Sequence, residues 1–353
     1  MTKLFEDILK EPVELSKSLS HTLGAGRAAL NEAANTLRNA QHIYVVGIGS
    51  SYSAGLAMVT FFNAAGRPAT LYDAAELLYF GEISPNAAVV MLSRSGKSGE
   101  IVKVLPRLAA RGAKVVAITN TPDSPLAQQA DITLNMMARF DNAVSVSMYS
   151  AMALVAGLLA VATEGKLTDL LVAALQNAFT AAGTQLEVWK KQIEDSGWLD
   201  TKAPMYLLGR GASFASANEA RLLWEEAAKL PATALNSSTF RHGPQEVIRK
   251  SMRFAVWIDR EKSRNQDLAM AQDLQRLGAK VFAIGQDLPL SAGDLVVQIP
   301  ALPSAWQFVL DIVPIQIASE CLARLGNQNC DEFRLCSYIV EDEGGLIGPD
   351  TKL

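Results

Sequence analysis

The sequence of 353 residues is poor in the residues that build metal centres and disulfide frameworks. It has three cysteines, Cys321, Cys330 and Cys336, an odd number with no Cys-x-x-Cys pair. That pattern indicates neither a disulfide scaffold nor a zinc site. Histidine is as scarce: His21, His42 and His242. No basic run of five or more occurs and the formal net charge is −4. Nucleic acid and anionic membrane are therefore poor partners. The N-terminal stretch MTKLFEDILKEPVEL is charged and lacks the apolar core of a signal peptide. The longest apolar stretch, AMALVAGLLAVAT (151–163), is shorter than the ~20 residues needed to span a bilayer. It reads as a buried helix, and the chain as cytoplasmic.

What is present is apolar bulk and a repeat. Hydrophobic residues make up 49% and charged residues 19%, enough for large cores and too apolar for disorder. IYVVGIGSSYSAG (43–55) is echoed by MYLLGRGASFASA (205–217), and RGAKVVAIT (111–119) by LGAKVFAIG (277–285). Between them lie AAVVMLS (87–93) and RFAVWID (253–259). Each half reads as strand, Gly turn, helix, strand, polar turn, helix, strand. Near-continuous apolar strands alternating with helices predict an α/β fold of two tandem doubly wound parallel-sheet subdomains. The expected division is 1–165 for N-terminal helices and the first subdomain, 166–196 for a polar helical connection, and 197–353 for the second subdomain and tail. The tail carries two Gly-rich turns. In such sheets ligands sit beyond the C-terminal strand ends, where the strand order reverses.

SRSGKSGE (93–100) follows the second strand of the first half. Its serines, glycines and Lys97, opening into a helix, favour a bound phosphate. GIGSSYSAG (47–55) adds Ser50, Ser51 and Ser53 at a second strand-to-helix turn. Serine and glycine are also ordinary loop residues, and Ser50 or Ser98 could serve only as helix caps. Two such turns on adjacent strand ends, absent from the second half (DREKSRNQ, 259–266), favour the phosphate reading. Neither turn is a Walker loop. Dinucleotide binding is disfavoured, because GIGSSYSA lacks the third glycine and Asp73 is a poor ribose ligand.

The doubled Gly-x-Gly turns, SRSGKSGE and the segment TFRHGP (239–244) with its upstream glutamate resemble the sugar isomerase (SIS) family. They are similar to the isomerase half of glucosamine-6-phosphate synthase and, more closely, to deglycases of phosphorylated sugar–amine adducts. The resemblance covers nearly the whole chain. It implies phosphate ligands at Ser51, Ser93, Ser95 and Ser98, with the backbone of Arg94 between them. It implies a sugar-contacting loop in AVSVSMYSA (143–151), where Ser145 and Ser147 are both candidates. The family's catalytic carboxylate falls on Glu226, sixteen residues before His242. No cofactor is implied. A homodimer or higher homo-oligomer is implied, because the histidine of resembling enzymes reaches a neighbouring subunit's site. The departures narrow the activity. No glutaminase domain precedes the match, and the two lysines of the synthase are Leu223 and a position near Tyr338 here. The tail NQNCDEFRLCSYIVEDE (327–343) is instead similar to that of fructosamine 6-phosphate deglycases.

Glu226 lies in EARLLWEEAAKL (219–230), a helix-like run before Pro231. Glu219, seven residues earlier, shares its face and is a second candidate, as a substrate-binding group. Glu225 sits between Arg221 and Lys229 and reads as a solvated ion pair. Moving a proton between neighbouring sugar carbons needs one carboxylate base, and ring opening needs a group with pKa near 7, which suits His242. The chemistry requires no metal. The expectation is a deglycase that releases hexose 6-phosphate and free amine. The rivals are an aldose–ketose isomerase or amino-sugar phosphate deaminase, and a sugar-phosphate sensor without catalysis. Lys97, Arg94, Arg334 and Tyr338 are left without a settled role.

Overall fold

The computed structural model describes residues 1–346; residues 347–353, with the second Gly-rich turn of the tail, lie outside it. The chain divides into two compact units. The first comprises Glu14–Thr168 and the tail from Glu332. The second comprises Met1–Val13 and Asp169–Asp331.

Helix α1 (Lys3–Leu23) begins in the second unit and enters the first. There α2 (Arg27–Asn39), β1 (Ile43–Gly47), α3 (Ser50–Ala64), β2 (Ala69–Asp73), α4 (Ala74–Tyr79), β3 (Ala88–Leu92), α5 (Gly99–Ala110), β4 (Lys114–Thr119), α6 (Pro125–Gln129), β5 (Ile132–Asn135) and α7 (Ser147–Thr163) follow. The five strands form one parallel sheet in the order β2-β1-β3-β4-β5. Every residue of β3 is buried, because helices cover both faces of the sheet. Val46, Val89, Met91 and Val115 pack with Ile101, Val104 and Leu105 of α5. Successive strand residues face opposite ways, and on the other face α3 packs against β1 and α7 against β4. The apolar stretch at 151–163 forms most of α7, which is buried along nearly its whole length.

The second unit contains α8 (Asp169–Gly183), α9 (Leu186–Asp195), β6 (Met205–Gly209), α10 (Ser213–Ala227), β7 (Ala232–Asn236), α11 (Ser237–Phe240), β8 (Arg253–Ile258), α12 (Arg264–Arg276), β9 (Lys280–Gly285), β10 (Leu295–Gln298) and α13 (Val313–Leu325). Its sheet is parallel with order β10-β9-β8-β6-β7, the topology of the first sheet repeated. The fold expected from the repeat, two doubly wound subdomains behind a helical N-terminus, is the fold observed.

The ends of the units are set by contacts that no local pattern records. Asp331 accepts the N–H groups of Lys3 (3.0 Å) and Leu4 (2.9 Å), and the Thr2 hydroxyl donates to Glu320 at 2.9 Å. These bonds cap α1 and tie residues 1–13 to the second unit, whereas the sequence division placed them with the first subdomain. The tail from Glu332, assigned by sequence to the second subdomain, packs instead with the first unit. The stretch 166–196 is helical as expected but is not a bare connection. Leu175, Phe179, Leu186, Trp189 and Ile193 are buried, and α9 packs on α13.

Candidate functional site

In the first sheet, β1 is flanked by β2 on one side and β3 on the other, so the chain departs in opposite directions from neighbouring strands. The crevice beyond the C-terminal ends of β1 and β3 is the expected ligand position in such a sheet. Both serine turns emerge there. In the turn after β3, the Ser93 Oγ accepts the Gly96 N–H (3.1 Å) and the Ser95 Oγ accepts the Lys97 N–H (3.2 Å). Each hydroxyl oxygen is thereby used as an acceptor, and its own proton stays available to donate. The N–H groups of Arg94, Ser95 and Ser98 have no acceptor among the described residues. The same holds for the hydroxyls of Ser51 and Ser98; Ser98 stands at the N-cap of α5 without making a capping bond. Ser93 and Ser95 are 3% and 6% exposed, so these donors are aimed from within the fold rather than spread on a surface. A group of donors at two helix N-termini is matched by an anion.

Gly96 makes the turn possible. Its φ is +61°, and a Cβ there would stand 2.1 Å from the Ser124 Oγ. The carbonyl of Arg94 is turned away from the crevice by the Asn120 N–H (3.1 Å) and by the hydroxyls of Thr119 (3.2 Å) and Thr121 (3.3 Å). The guanidinium of Arg94 is also engaged elsewhere. It lies 4.2 Å from the ring centroid of Tyr338 and donates to the Tyr338 carbonyl at 2.8 Å. Only the Arg94 N–H remains for a ligand, in keeping with a backbone role. Lys97 and Arg334 are exposed cations without a partner among the described residues. Lys97 lines a cleft of about 440 Å³ with Lys103 and Glu341.

The loop before α7 is organised by a residue that the sequence did not flag. Asp141, 4% exposed, accepts the N–H groups of Val146 (2.9 Å), Ser147 (3.1 Å) and Met148 (3.0 Å). Its carbonyl accepts the Tyr338 hydroxyl at 2.8 Å. Ser147 is 2% exposed as the first residue of α7, whereas Ser145 is half-buried with no partner for its hydroxyl among the described residues. A lone Asp six residues before a helix carries no local capping signature, which is why the sequence concealed it.

In the second unit, Glu226 lies in the last turn of α10 and is half-buried. The helix ends sooner than the run 219–230: Lys229 turns to φ +58° and donates to the Glu226 carbonyl. Glu225 pairs with Arg221 at 2.6 Å on the surface, as its spacing predicts. Glu219 is 2% exposed, inside the unit rather than on an open face. His242 is exposed in the turn after α11, its N–H bonded to the Thr239 carbonyl at 3.0 Å. Gly243, with φ +126°, reverses the chain, and Pro244 opens a short 3₁₀ segment (Pro244–Val247). A cleft of about 650 Å³ opens beside this turn, lined by Phe240, Arg241, Gln245, Ile248 and one face of α12. Neither Glu226 nor His242 lines it.

In the corresponding turn after β8, a carboxylate of the turn itself takes up neighbouring donors. Asp259 accepts the N–H groups of Glu261 (2.9 Å), Lys262 and Ser263 (3.2 Å), and the Ser304 hydroxyl at 2.6 Å. Burial alone would raise its pKa, but these donors hold the carboxyl below the ordinary range. Arg210, after β6, is neutralised by the buried Asp267 at 2.7 Å. The second half thus sets carboxylates of its own, Asp259 and Asp267, against the donors of this turn and against Arg210. The sequence also missed Asp311, fully buried near the start of α10, where the Ser213 hydroxyl donates to its Oδ2 at 2.6 Å. Burial pushes its carboxyl up to about 6, against the hydroxyls of Ser213 and Ser216.

Burial likewise pushes the Cys321 thiol up to about 12 and that of Cys330 to about 11, so neither is poised as a nucleophile. His42 is exposed and His21 half-buried in α1. Among the described residues no three His, Cys, Asp or Glu side chains are grouped to hold a metal ion. No helix among them is long and apolar enough to cross a membrane.

A model of the SIS domain family matches residues 36–162. Among curated proteins, the glutamine–fructose-6-phosphate aminotransferase (isomerizing) of Pyrococcus horikoshii is 24% identical over 335 residues, covering 93% of this chain and 56% of that protein. Its namesake from Lactiplantibacillus plantarum is 27% identical over 327 residues, covering 89% and 54%. The chain thus spans about half the length of the curated relatives it matches. Among solved structures, the C-terminal domain of glucosamine-fructose-6-phosphate aminotransferase from Francisella tularensis superposes with TM-score 0.83 at 19% identity, covering 94% of this chain and 98% of that one. Tagatose-6-phosphate ketose/aldose isomerase from Escherichia coli gives 0.80 at 19% identity, with 94% of both chains covered. Glucosamine-6-phosphate deaminase from Thermotoga maritima gives 0.73 at 21% identity, covering 93% and 99%. These likenesses are to the fold of the whole chain, and the family match lies on the half that carries the serine turns. Residues 36–162 match the SIS domain, and the chain has the fold of these sugar-phosphate proteins, its second half repeating the first half's sheet topology.

Proposed function

We propose that this protein is a deglycase acting on a hexose 6-phosphate linked to an amino acid. The observation that carries the reading is the set of unengaged donors at the ends of β1 and β3, which match a phosphate in charge and valence. The proteins of like fold are named for work on tagatose 6-phosphate, glucosamine 6-phosphate and fructose 6-phosphate, which supports a six-carbon sugar behind that phosphate. Ser51, Ser93, Ser95, Ser98 and the Arg94 N–H hold the phosphate, and the Ser145 or Ser147 turn meets the sugar. Glu226 is the proton shuttle, and His242 the group that opens the ring. Glu219 is buried in the same helix and is placed as a supporting polar group.

For a ketose with nitrogen on C1, the Glu226 carboxylate removes a C1 proton and leaves an enaminol. The same carboxyl returns the proton to C2, forming an imine at C1. Water adds to that imine and the amine departs, leaving glucose 6-phosphate. For an aldose with nitrogen on C2, the same shuttle gives fructose 6-phosphate. Both routes need one base that serves two adjacent carbons, which fits a single glutamate. His242 is exposed within its own chain, in keeping with a homodimer in which it serves the neighbouring subunit.

Incubation of the purified protein with phosphorylated fructoselysine and glucoselysine, followed by hexose 6-phosphate assay, tests the reading. Release from at least one adduct is expected, and none from any adduct sinks it. A second reading, an isomerase or amino-sugar phosphate deaminase, is favoured by the names of two of the like-folded proteins. Leu223, where the resembling synthase has lysine, weighs against synthesis of glucosamine 6-phosphate. Ammonia release from glucosamine 6-phosphate without action on adducts would establish the second reading.

A further inference from the structure

We propose that Asp141 is a positioning residue of the sugar-phosphate site, fixing the turn that carries Ser145 beside the phosphate turn. The inference rests on the sugar-phosphate reading above. The Asp141 carboxylate is 4% exposed and holds three successive N–H groups, those of Val146, Ser147 and Met148, at 2.9–3.1 Å. It thereby occupies the positive end of α7, so no substrate anion is drawn there. In this unit the anion-matching donors described above stand at the turns after β1 and β3, which sets which end of a sugar phosphate binds where. Ser145, four residues on, keeps a half-buried hydroxyl without a partner among the described residues, suited to a neutral sugar oxygen. Asp141 is also joined to the phosphate turn. The Tyr338 hydroxyl donates to its carbonyl at 2.8 Å, and the Arg94 guanidinium stacks on the Tyr338 ring at 4.2 Å. The Arg94 carbonyl is held in turn by Thr119, Asn120 and Thr121. One hydrogen-bonded chain thus sets the spacing between the group that meets the phosphate and the group that meets the sugar.

A purely structural role for Asp141 would weaken all ligands alike or none. The proposed role changes discrimination. Affinities for fructose 6-phosphate and for inorganic phosphate are measured by calorimetry on the wild type, Asp141→Ala and Asp141→Asn. Asp141→Ala is expected to lose about tenfold in fructose 6-phosphate affinity while inorganic phosphate changes by less than about twofold. Asp141→Asn, which keeps a carbonyl acceptor and guards against misfolding of the alanine variant, falls between. Equal ratios of the two affinities in the wild type and in a folded variant overturn the proposal. A wild type that binds inorganic phosphate but no hexose 6-phosphate overturns the sugar-phosphate reading and this proposal with it.

Discussion

Asp311 shows what a single carboxyl can do when the fold removes its water. It is fully buried, its Oδ2 takes the Ser213 hydroxyl, and its Oδ1 has no partner among the described residues. Its pKa stands at about 6, above the ~3.9 of an unfolded aspartate. A raised acid pKa means that the native state holds a proton the unfolded chain has already released. Stability from this group is therefore full below pH ~4, falls between ~4 and ~6, and stays lost above. Asp311→Asn cannot ionise and escapes that loss. Urea denaturation at pH 4.5 and 7.5 should show the variant gaining on the wild type by on the order of 2 kcal/mol as pH rises. An unchanged difference between the two pH values would show that the carboxyl does not titrate in this window. Asp311 was invisible in the sequence, because what raises its pKa is burial against residues up to 98 positions away. The roles proposed for Glu226 and His242 rest on a resemblance: a half-buried glutamate at a helix end and an exposed histidine have no local mark of chemistry.

Among the elements, the strands that the sequence revealed are the fully covered ones. β1, β3 and β4, and their counterparts β6, β8 and β9, are continuous apolar runs because both faces are buried. The edge strands were harder to see. β2 and β7 are only partly buried along their lengths, and β5 alternates between buried and half-buried, so their composition is mixed. The two turns after β3 and β8, unlike in sequence, differ in structure by a carboxylate. The first ends in open donors and the second is filled by Asp259, held ionised by backbone N–H groups. Inorganic phosphate should thus slow amide hydrogen exchange at 93–99 and leave 259–265 unchanged. Equal protection of both turns, or protection of the second alone, would contradict this asymmetry.

At the scale of the molecule, the proposed function gives two copies of one topology different work. The first keeps an open anion turn, and the second carries the glutamate and histidine assigned to proton transfer. The repeat made the doubled sheet legible in the sequence. It did not reveal that the N-terminal thirteen residues belong with the second unit, or that the tail belongs with the first. Those assignments rest on Asp331, Thr2, Arg94 and Tyr338, whose partners are hundreds of residues away. The proposed dimer makes a separate prediction. If His242 serves the neighbouring subunit, mixing unfolded Glu226→Gln and His242→Ala chains and refolding them together should restore about a quarter of wild-type turnover, since half the dimers are mixed and each has one intact site. No recovery would place the pair within one chain.

The central claim is that Glu226 moves a proton on a phosphate-anchored sugar–amine adduct. Its most direct test is single-turnover release of hexose 6-phosphate from phosphorylated fructoselysine and glucoselysine by the wild type and by Glu226→Gln, with adduct binding measured in parallel. The account predicts release by the wild type, and in the variant binding within about twofold but a rate at least ~100-fold lower. Wild-type turnover retained by Glu226→Gln would contradict it.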